Sequence, residues 1–165
     1  MKVLLLRHGI AEDIGPGGRD ADRALTPAGV EQLRSVAAAL VDAEVRCDAL
    51  RASPLRRAVE TARLVAPAVG HRGEVETCDE LIPDAPPEET LALLAALRRA
   101  AVVMLVGHEP HLGNLAALLV GARPGAVHFK KAGLARIDIE GRPGAGSGEL
   151  RWLLTPTWML RPQDR

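Results

Sequence analysis

Val3-Leu4-Leu5-Leu6-Arg7-His8-Gly9 decides how this chain is read. A continuous run of branched apolar residues has the pattern of a strand buried on both faces, as in a parallel sheet. At its end the pattern breaks to a cation, an imidazole and a glycine. Open α/β folds place their ligands at the C-terminal ends of strands. The trio therefore sets a fixed positive charge, a candidate nucleophile and a permissive backbone at such an edge. A strand that merely closes in polar residues and a turn glycine explains the same letters, so the rest of the chain has to decide.

Strand and helix patterns alternate from there. Residues 2–7 read as the first strand and residues 9–25, rich in Gly, Asp and Arg, as a mobile loop. Thr26-Pro27 is a helix start, with a hydroxyl at the N-cap and proline at the first helical position. Val30, Leu33, Ala37 and Leu40 then share one helical face. Residues 48–52 read as a second strand. Ser53-Pro54 repeats the capping signal, with Leu55, Ala58, Ala62, Val65 and Val69 along the face of the next helix. A short strand is expected over 74–78 and a helix from Pro86-Pro87 to about Arg99. Val102-Val103-Met104-Leu105-Val106 is the clearest strand, running into Gly107-His108. A helix over 111–120 closes at Gly121, and strands over 134–139 and 150–154 are joined by a Gly-rich linker. This alternation predicts an α/β fold, one sheet with helices on both faces, in a single domain over residues 1–165.

Composition narrows the function. Apolar residues make up 47% of the 165 and charged residues 25%, the balance of a soluble globular chain. With 21 acids against 21 Lys and Arg, bulk charge gives no footprint for nucleic acid. Phe129, Trp152 and Trp158 are the only aromatics, so there is no platform for stacking bases. Cys47 and Cys78 lack metal-site spacing and read as free thiols. The short apolar start meets charge at Arg7, unlike a signal peptide, and no stretch is long enough to span a membrane. The expected location is the cytoplasm. The glycines at 15, 17 and 18 lack the Lys-Ser/Thr ending of a phosphate-binding P-loop.

Three strand ends repeat one pattern. The first ends in Arg7-His8-Gly9, the second in Ser53-Pro54-Leu55-Arg56-Arg57-Ala58, and the strand over 102–106 in Gly107-His108-Glu109-Pro110. In a parallel sheet these ends share an edge, with two helix N-termini nearby. Two arginines and two histidines there suit a tetrahedral dianion, since guanidinium forks bond phosphate bidentately. A neutral imidazole can also attack phosphorus and split one step into two. Its ordinary pKa of about 6.5 leaves it mostly neutral at cytoplasmic pH.

These residues resemble the histidine phosphatase (phosphoglycerate mutase-like) superfamily, and within it the small bacterial SixA-like phosphohistidine phosphatases. The likeness covers nearly the whole chain. It rests on Leu6-Arg7-His8-Gly9, Leu25-Thr26-Pro27-Ala28-Gly29, the block from Ser53 to Ala62, and Val106-Gly107-His108-Glu109-Pro110, in that order. It implies a three-layer α/β/α sandwich with a mostly parallel sheet and a phosphatase that needs neither metal nor cofactor. It also implies His8 as the phospho-accepting nucleophile, with Arg7, Arg57 and His108 holding the phosphoryl oxygens. Arg57 rather than Arg56 is the match, because it directly precedes Ala58. Ile14 stands where the mutases commonly carry an asparagine, and the chain is too short for a large lid insertion. The acid best placed to protonate a leaving group is Glu80.

The shortage of acids bears on the substrate. Expelling an alkoxide needs a strong acid partner, whereas the P–N bond of phosphohistidine breaks readily once its nitrogen is protonated. The expected partner is a phosphorylated histidine-containing protein. The alternatives are a small phosphorylated metabolite or, without turnover, a phosphate-binding module. Gly9, Ser53 and Lys130 are candidate substrate contacts. Ser53 also reads as an N-cap, and Lys130-Lys131 as a solvated pair. Glu109 either orients His108 or faces water, His111 either enters the pocket or packs a helix, and His128 reads as structural. His71 reads as a solvated loop residue, and Arg56, Arg63, Arg98 and Arg99 as solvated helix faces.

Overall fold

A computed structural model describes residues 1–159. The last six residues of the single-domain reading lie outside the described residues. Six strands form one sheet in the order β3-β2-β4-β1-β5-β6. They are β1 (Lys2–Arg7), β2 (Ala49–Ala52), β3 (Glu76–Thr77), β4 (Val102–Gly107), β5 (Leu134–Ile139) and β6 (Gly148–Leu154). The pairs β1–β4, β4–β2 and β2–β3 are parallel, while β5 and β6 add an antiparallel edge. The sheet is therefore mostly parallel.

Central position explains the apolar runs. Leu4 and Leu6 face one helical layer, formed by α1 (Pro27–Asp42) and α2 (Arg56–Val65), through Leu33, Val36, Leu40, Ala58, Ala62 and Val65. Val3 and Leu5 face the other, formed by α3 (Pro87–Ala96) and α4 (His111–Leu119), through Leu94, Leu112, Leu115 and Leu119. Alternate side chains of β1 thus enter separate cores, which is why the strand carries no polar position between Val3 and Leu6. Leu, Val and Ala fill both cores, with fully buried Phe129 as the aromatic exception. A short α5 (Pro156–Met159) follows β6. Among the described residues no helix is long and apolar enough to cross a membrane.

Local signals hold in places and shift in others. Thr26 caps α1, its hydroxyl accepting the Gly29 amide at 3.0 Å. Gly121 follows α4 with φ +71°, the left-handed turn that ends a helix. Ser53 does not cap α2. Leu55 is extended (φ −66°, ψ 133°) at the N-cap position, so the helix starts at Arg56. The Ser53 amide instead continues the sheet by donating to the Val106 carbonyl at 2.9 Å. The strand expected over 74–78 contracts to two residues, and α3 stops at Ala96, short of Arg99.

The stretch over 9–25, read as a loop, carries local structure and is hydrogen-bonded to α1 and α2. A bridge joins Ala11 to Leu25, and turns of 3-10 helix run over Pro16–Gly18 and Asp20–Asp22. Glu60 on α2 accepts the Leu25 amide at 2.7 Å. Thr26 donates its amide to the Ile10 carbonyl at 2.9 Å. Gly29 then packs so tightly that a Cβ there would lie 2.1 Å from the Ile10 carbonyl oxygen. Only glycine lets the start of α1 approach the segment that leaves β1. Gly29→Ala is expected to destabilise the fold by about 1–3 kcal/mol, read as a lowered urea midpoint with an unchanged slope.

Candidate active site

The C-terminal ends of β1, β2 and β4 meet at one edge. Arg7 pairs in register with Gly107, and the His8 amide donates to the Gly107 carbonyl at 3.0 Å. His8 and His108, one residue beyond each strand, face each other with ring centroids 4.9 Å apart and planes tilted by 52°. Arg57 reaches the same edge from the first turn of α2, and its charge acts on both imidazoles. His8, Arg57 and His108 are all buried.

One hydrogen bond sets the chemistry of His8. Its Nδ1 lies 2.7 Å from the Gly9 carbonyl oxygen. A carbonyl can only accept, so Nδ1 carries the proton and the neutral ring keeps its lone pair on Nε2. Gly9 is itself fixed. Its amide donates to Thr61 Oγ1 at 3.1 Å, and the Thr61 hydroxyl donates to the Arg57 carbonyl at 2.7 Å. A Cβ on Gly9 would fall 2.7 Å from Leu33 Cδ1. Gly9, expected to touch substrate, has both backbone groups engaged within the protein and so aims His8. Thr61 lies inside a recognised motif, but its spacing alone does not reveal that it ties β1 to α2.

Burial keeps both rings neutral. The His8 pKa falls to about 4, chiefly through desolvation, which outweighs the Gly9 hydrogen bond; the charges of Arg57, Arg7 and Lys131 push the same way. That of His108 falls to about 2, again mainly by desolvation, with His8 and Arg57 adding to it and Asp20 opposing. Burial also lowers the Arg7 guanidinium, with Glu109 partly restoring it.

The cluster leaves polar atoms without protein partners. Among the described residues, Arg7 Nε, Arg57 Nε and both ring nitrogens of His108 are buried and find no partner. Stranding one such group costs about 1–3 kcal/mol. Each arginine is nonetheless anchored at its far end. Arg7 Nη1 donates to the Phe129 carbonyl at 2.6 Å, and Arg57 donates to Asp20. What remains unbonded is therefore two guanidinium N–H donors and the neutral His108 ring, in a cluster with the unprotonated nitrogen of His8. An anion with several oxygens satisfies such a set.

The remaining candidates sort by position. Glu80 stands on the 3-10 turn Asp79–Leu81, which packs beside the end of β4, with the Leu81 carbonyl 3.4 Å from where a Cβ on Gly107 would sit. Its carboxylate is half-buried and holds no hydrogen bond or ion pair among the described residues. Ser53 is fully buried at the end of β2, its hydroxyl 3.4 Å from the Leu55 amide. Lys130 is exposed; it is half-buried Lys131 whose charge reaches His8. Glu109 neither orients His108 nor faces water. Its carboxylate accepts the Phe129 amide at 2.6 Å and so steadies the residue whose carbonyl anchors Arg7. His111 is buried against the Ala85 carbonyl and Thr90, packing the α4 layer. Exposed Ile14 contributes nothing to the cluster. No group of three or more His, Cys, Asp or Glu among the described residues is arranged to hold a metal ion.

Comparison with known proteins agrees with this geometry. The profile of the histidine phosphatase superfamily (branch 1) matches residues 3–82. A solved structure described as the putative phosphohistidine phosphatase SixA from Agrobacterium tumefaciens is 30% identical, superposes with a TM-score of 0.78, and is matched over 94% of this chain and 97% of its own. The chain belongs to the histidine phosphatase superfamily. Further matches of this histidine phosphatase, one to a curated protein and one to a solved structure, also carry the SixA name. Phosphohistidine phosphatase SixA of Escherichia coli is 28% identical over 159 residues, with 94% of each chain covered. The structure of protein histidine phosphatase SixA complexed with tungstate is 28% identical, with a TM-score of 0.85 over 95% of this chain and 98% of that one. The phosphoglycerate mutase-like α/β fold and the class of reaction, hydrolytic removal of phosphate, follow.

The lowered His8 pKa has a measurable consequence for this histidine phosphatase. Unfolded histidines take up protons near pH 6.5, while folded His8 does so only near pH 4. Between those values the unfolded state binds more protons, so stability rises with pH and is lost as pH falls through that window. Long-range proton–nitrogen NMR at pH 6 should find His8 neutral and protonated on Nδ1. Stability by urea unfolding should already decline between pH 6.5 and 5, before most carboxylates titrate. Titration of His8 near 6.5 would contradict the buried, carbonyl-bonded ring.

Proposed function

We propose that this histidine phosphatase removes the phosphoryl group from phosphohistidine on a protein, through a phospho-His8 intermediate. The observation that carries the reading is the unprotonated Nε2 of His8, in a cluster with the buried, unbonded Nε atoms of Arg7 and Arg57 and the unbonded ring nitrogens of His108. In the first step Nε2 attacks phosphorus. The Nε2–P bond forms, the P–N bond of the substrate breaks, and the departing imidazole nitrogen takes a proton. In the second step water attacks, the Nε2–P bond breaks, and the protons of that water end on phosphate and solvent. Throughout, the two guanidinium groups hold charge already present on the phosphoryl oxygens, which is most of what phosphoryl transfer requires.

The choice of leaving group rests on acid strength and access. Glu80 is the proton donor in this reading, a single half-buried carboxylate on a short turn. Imidazole leaves with little acid assistance, and an alkoxide does not. The segment from Cys78 to Pro86 that joins β3 to α3 is too short to form a lid over the strand ends. Without a lid, a side chain presented on a protein surface can approach the strand ends in this reading. The descriptions of the SixA relatives support the same substrate class, and tungstate in one of them supports an oxyanion seat. The cytoplasm is the compartment in which such a substrate is expected.

A brief reaction with radiolabelled phosphohistidine protein should leave acid-labile, alkali-stable phosphate on the wild type and none on His8→Ala, which loses turnover. Wild type that turns over without ever carrying label would sink the covalent scheme. Glu80→Gln should slow the hydrolysis of alkyl phosphates by about a hundredfold and that of phosphohistidine far less. Equal slowing of both would instead favour a small-molecule phosphomonoesterase.

A further inference from the structure

Asp20 lies in a stretch where sequence pattern offers no function, yet it grips the central arginine. Arg57 Nη1 donates to the Asp20 carbonyl at 2.9 Å, and Nη2 donates to its carboxylate Oδ2 at 3.0 Å. Both contacts are at the far end of the guanidinium fork. A guanidinium has one other edge able to hold two oxygens at once, formed by Nε–H and the second Nη2–H. In Arg57 the Nε on that edge is buried and without a protein partner. Resting on the phosphatase reading above, we propose that Asp20 is a positioning residue for phosphoryl binding. It fixes Arg57 end-on and so presents the Nε–Nη2 edge to the substrate.

The opposite role, a carboxylate sitting in the phosphoryl seat, does not fit the contacts. The Asp20 side chain is 59% exposed, at the rim, while the Arg57 side chain beneath it is 5% exposed. Asp20 makes no hydrogen bond to Arg7, His8 or His108 among the described residues, and Arg7 Nε, Arg57 Nε and the His108 ring nitrogens stay unbonded. A seat-filling carboxylate would engage several of them.

Asp20 is also itself braced, as a positioning residue must be. Its other oxygen accepts Arg23 Nη1 at 2.8 Å, and Arg23 Nε donates to the Glu12 carbonyl. Glu12 closes the base of the segment, its amide donating to the Ala24 carbonyl at 2.9 Å and its carboxylate accepting the Ala24 amide at 3.2 Å. At the turn, a Cβ on Gly15 would fall 2.2 Å from the Arg19 carbonyl oxygen, so the chain closes tightly just before Asp20. The proposal thus ties the shape of residues 12–24 to the orientation of one guanidinium.

The test measures tungstate inhibition, kcat and KM for wild type, Asp20→Ala, Asp20→Asn and Arg57→Ala, with unfolding midpoints for each. Asp20→Ala should raise the tungstate inhibition constant about tenfold, the lower end for one charge-assisted hydrogen bond. KM should rise more than kcat falls, and the loss of binding should exceed what any shift of the midpoint accounts for. Asp20→Asn, which can still accept from Nη2, should restore binding to within about threefold of wild type. An unchanged or lowered inhibition constant in Asp20→Ala overturns the proposal; a lowered one makes Asp20 a competitor of the oxyanion. A loss that tracks a falling midpoint, or an Asp20→Asn as weak as Asp20→Ala, overturns it as well. Arg57→Ala separates the two levels of argument. If it abolishes tungstate binding while Asp20→Ala does not weaken it, only the role of Asp20 fails. If Arg57→Ala binds tungstate normally, the phosphoryl seat itself is misplaced.

Discussion

The hydrogen bond from His8 Nδ1 to the Gly9 carbonyl is the constraint around which the molecule is arranged. It selects the tautomer that leaves Nε2 bare, and it holds only while Gly9 stays put. Gly9 is fixed by Thr61 from α2, and its lack of a side chain admits Leu33 from α1. The next carbonyl along, that of Ile10, is fixed by Thr26 and crowded by Gly29. Motif blocks far apart in sequence are thus parts of one device that keeps a ring aimed.

Charge is handled by the same economy. Two guanidinium groups border two buried imidazoles, and desolvation together with those cations keeps the rings neutral. Neutrality suits the attack on phosphorus proposed for His8, since a protonated imidazole has no lone pair to offer. Each arginine is anchored by an acidic residue in a different way. Asp20 holds Arg57 directly, whereas Glu109 acts on Arg7 through the backbone of Phe129. In both cases the anchor takes the distal nitrogen and leaves Nε unbonded.

Much of this was legible in the letters. Apolar runs marked β1 and β4 because both strands are covered on two faces, and Thr26-Pro27 marked α1 because its cap is local. The convergence of Arg7, His8, Arg57 and His108 followed from three strand ends sharing an edge. What escaped depends on contacts that spacing does not encode. Ser53-Pro54 has the same letters as a cap, yet Ser53 is still paired with β4 and the helix begins later. Lys130 and Lys131 are one residue apart, and only the turn that leads into β5 decides which charge reaches His8. Residues 9–25, rich in Gly, Asp and Arg, read as a mobile loop, because the contact of Asp20 with Arg57, 37 residues on, leaves no mark in the spacing.

The order of the strands governs when the site can exist. β4 lies between β1 and β2, although both precede it by dozens of residues in the chain. Residues 3–82, the part matched by the superfamily profile, contain β1 and β2 but not the strand that joins them. Until Val102–Gly107 inserts, each of those two strands presents a bare edge to solvent, and Arg7 and Arg57 belong to separate pieces. Bringing Arg7 and Arg57 to one edge therefore depends on a long-range pairing that the N-terminal half cannot make alone.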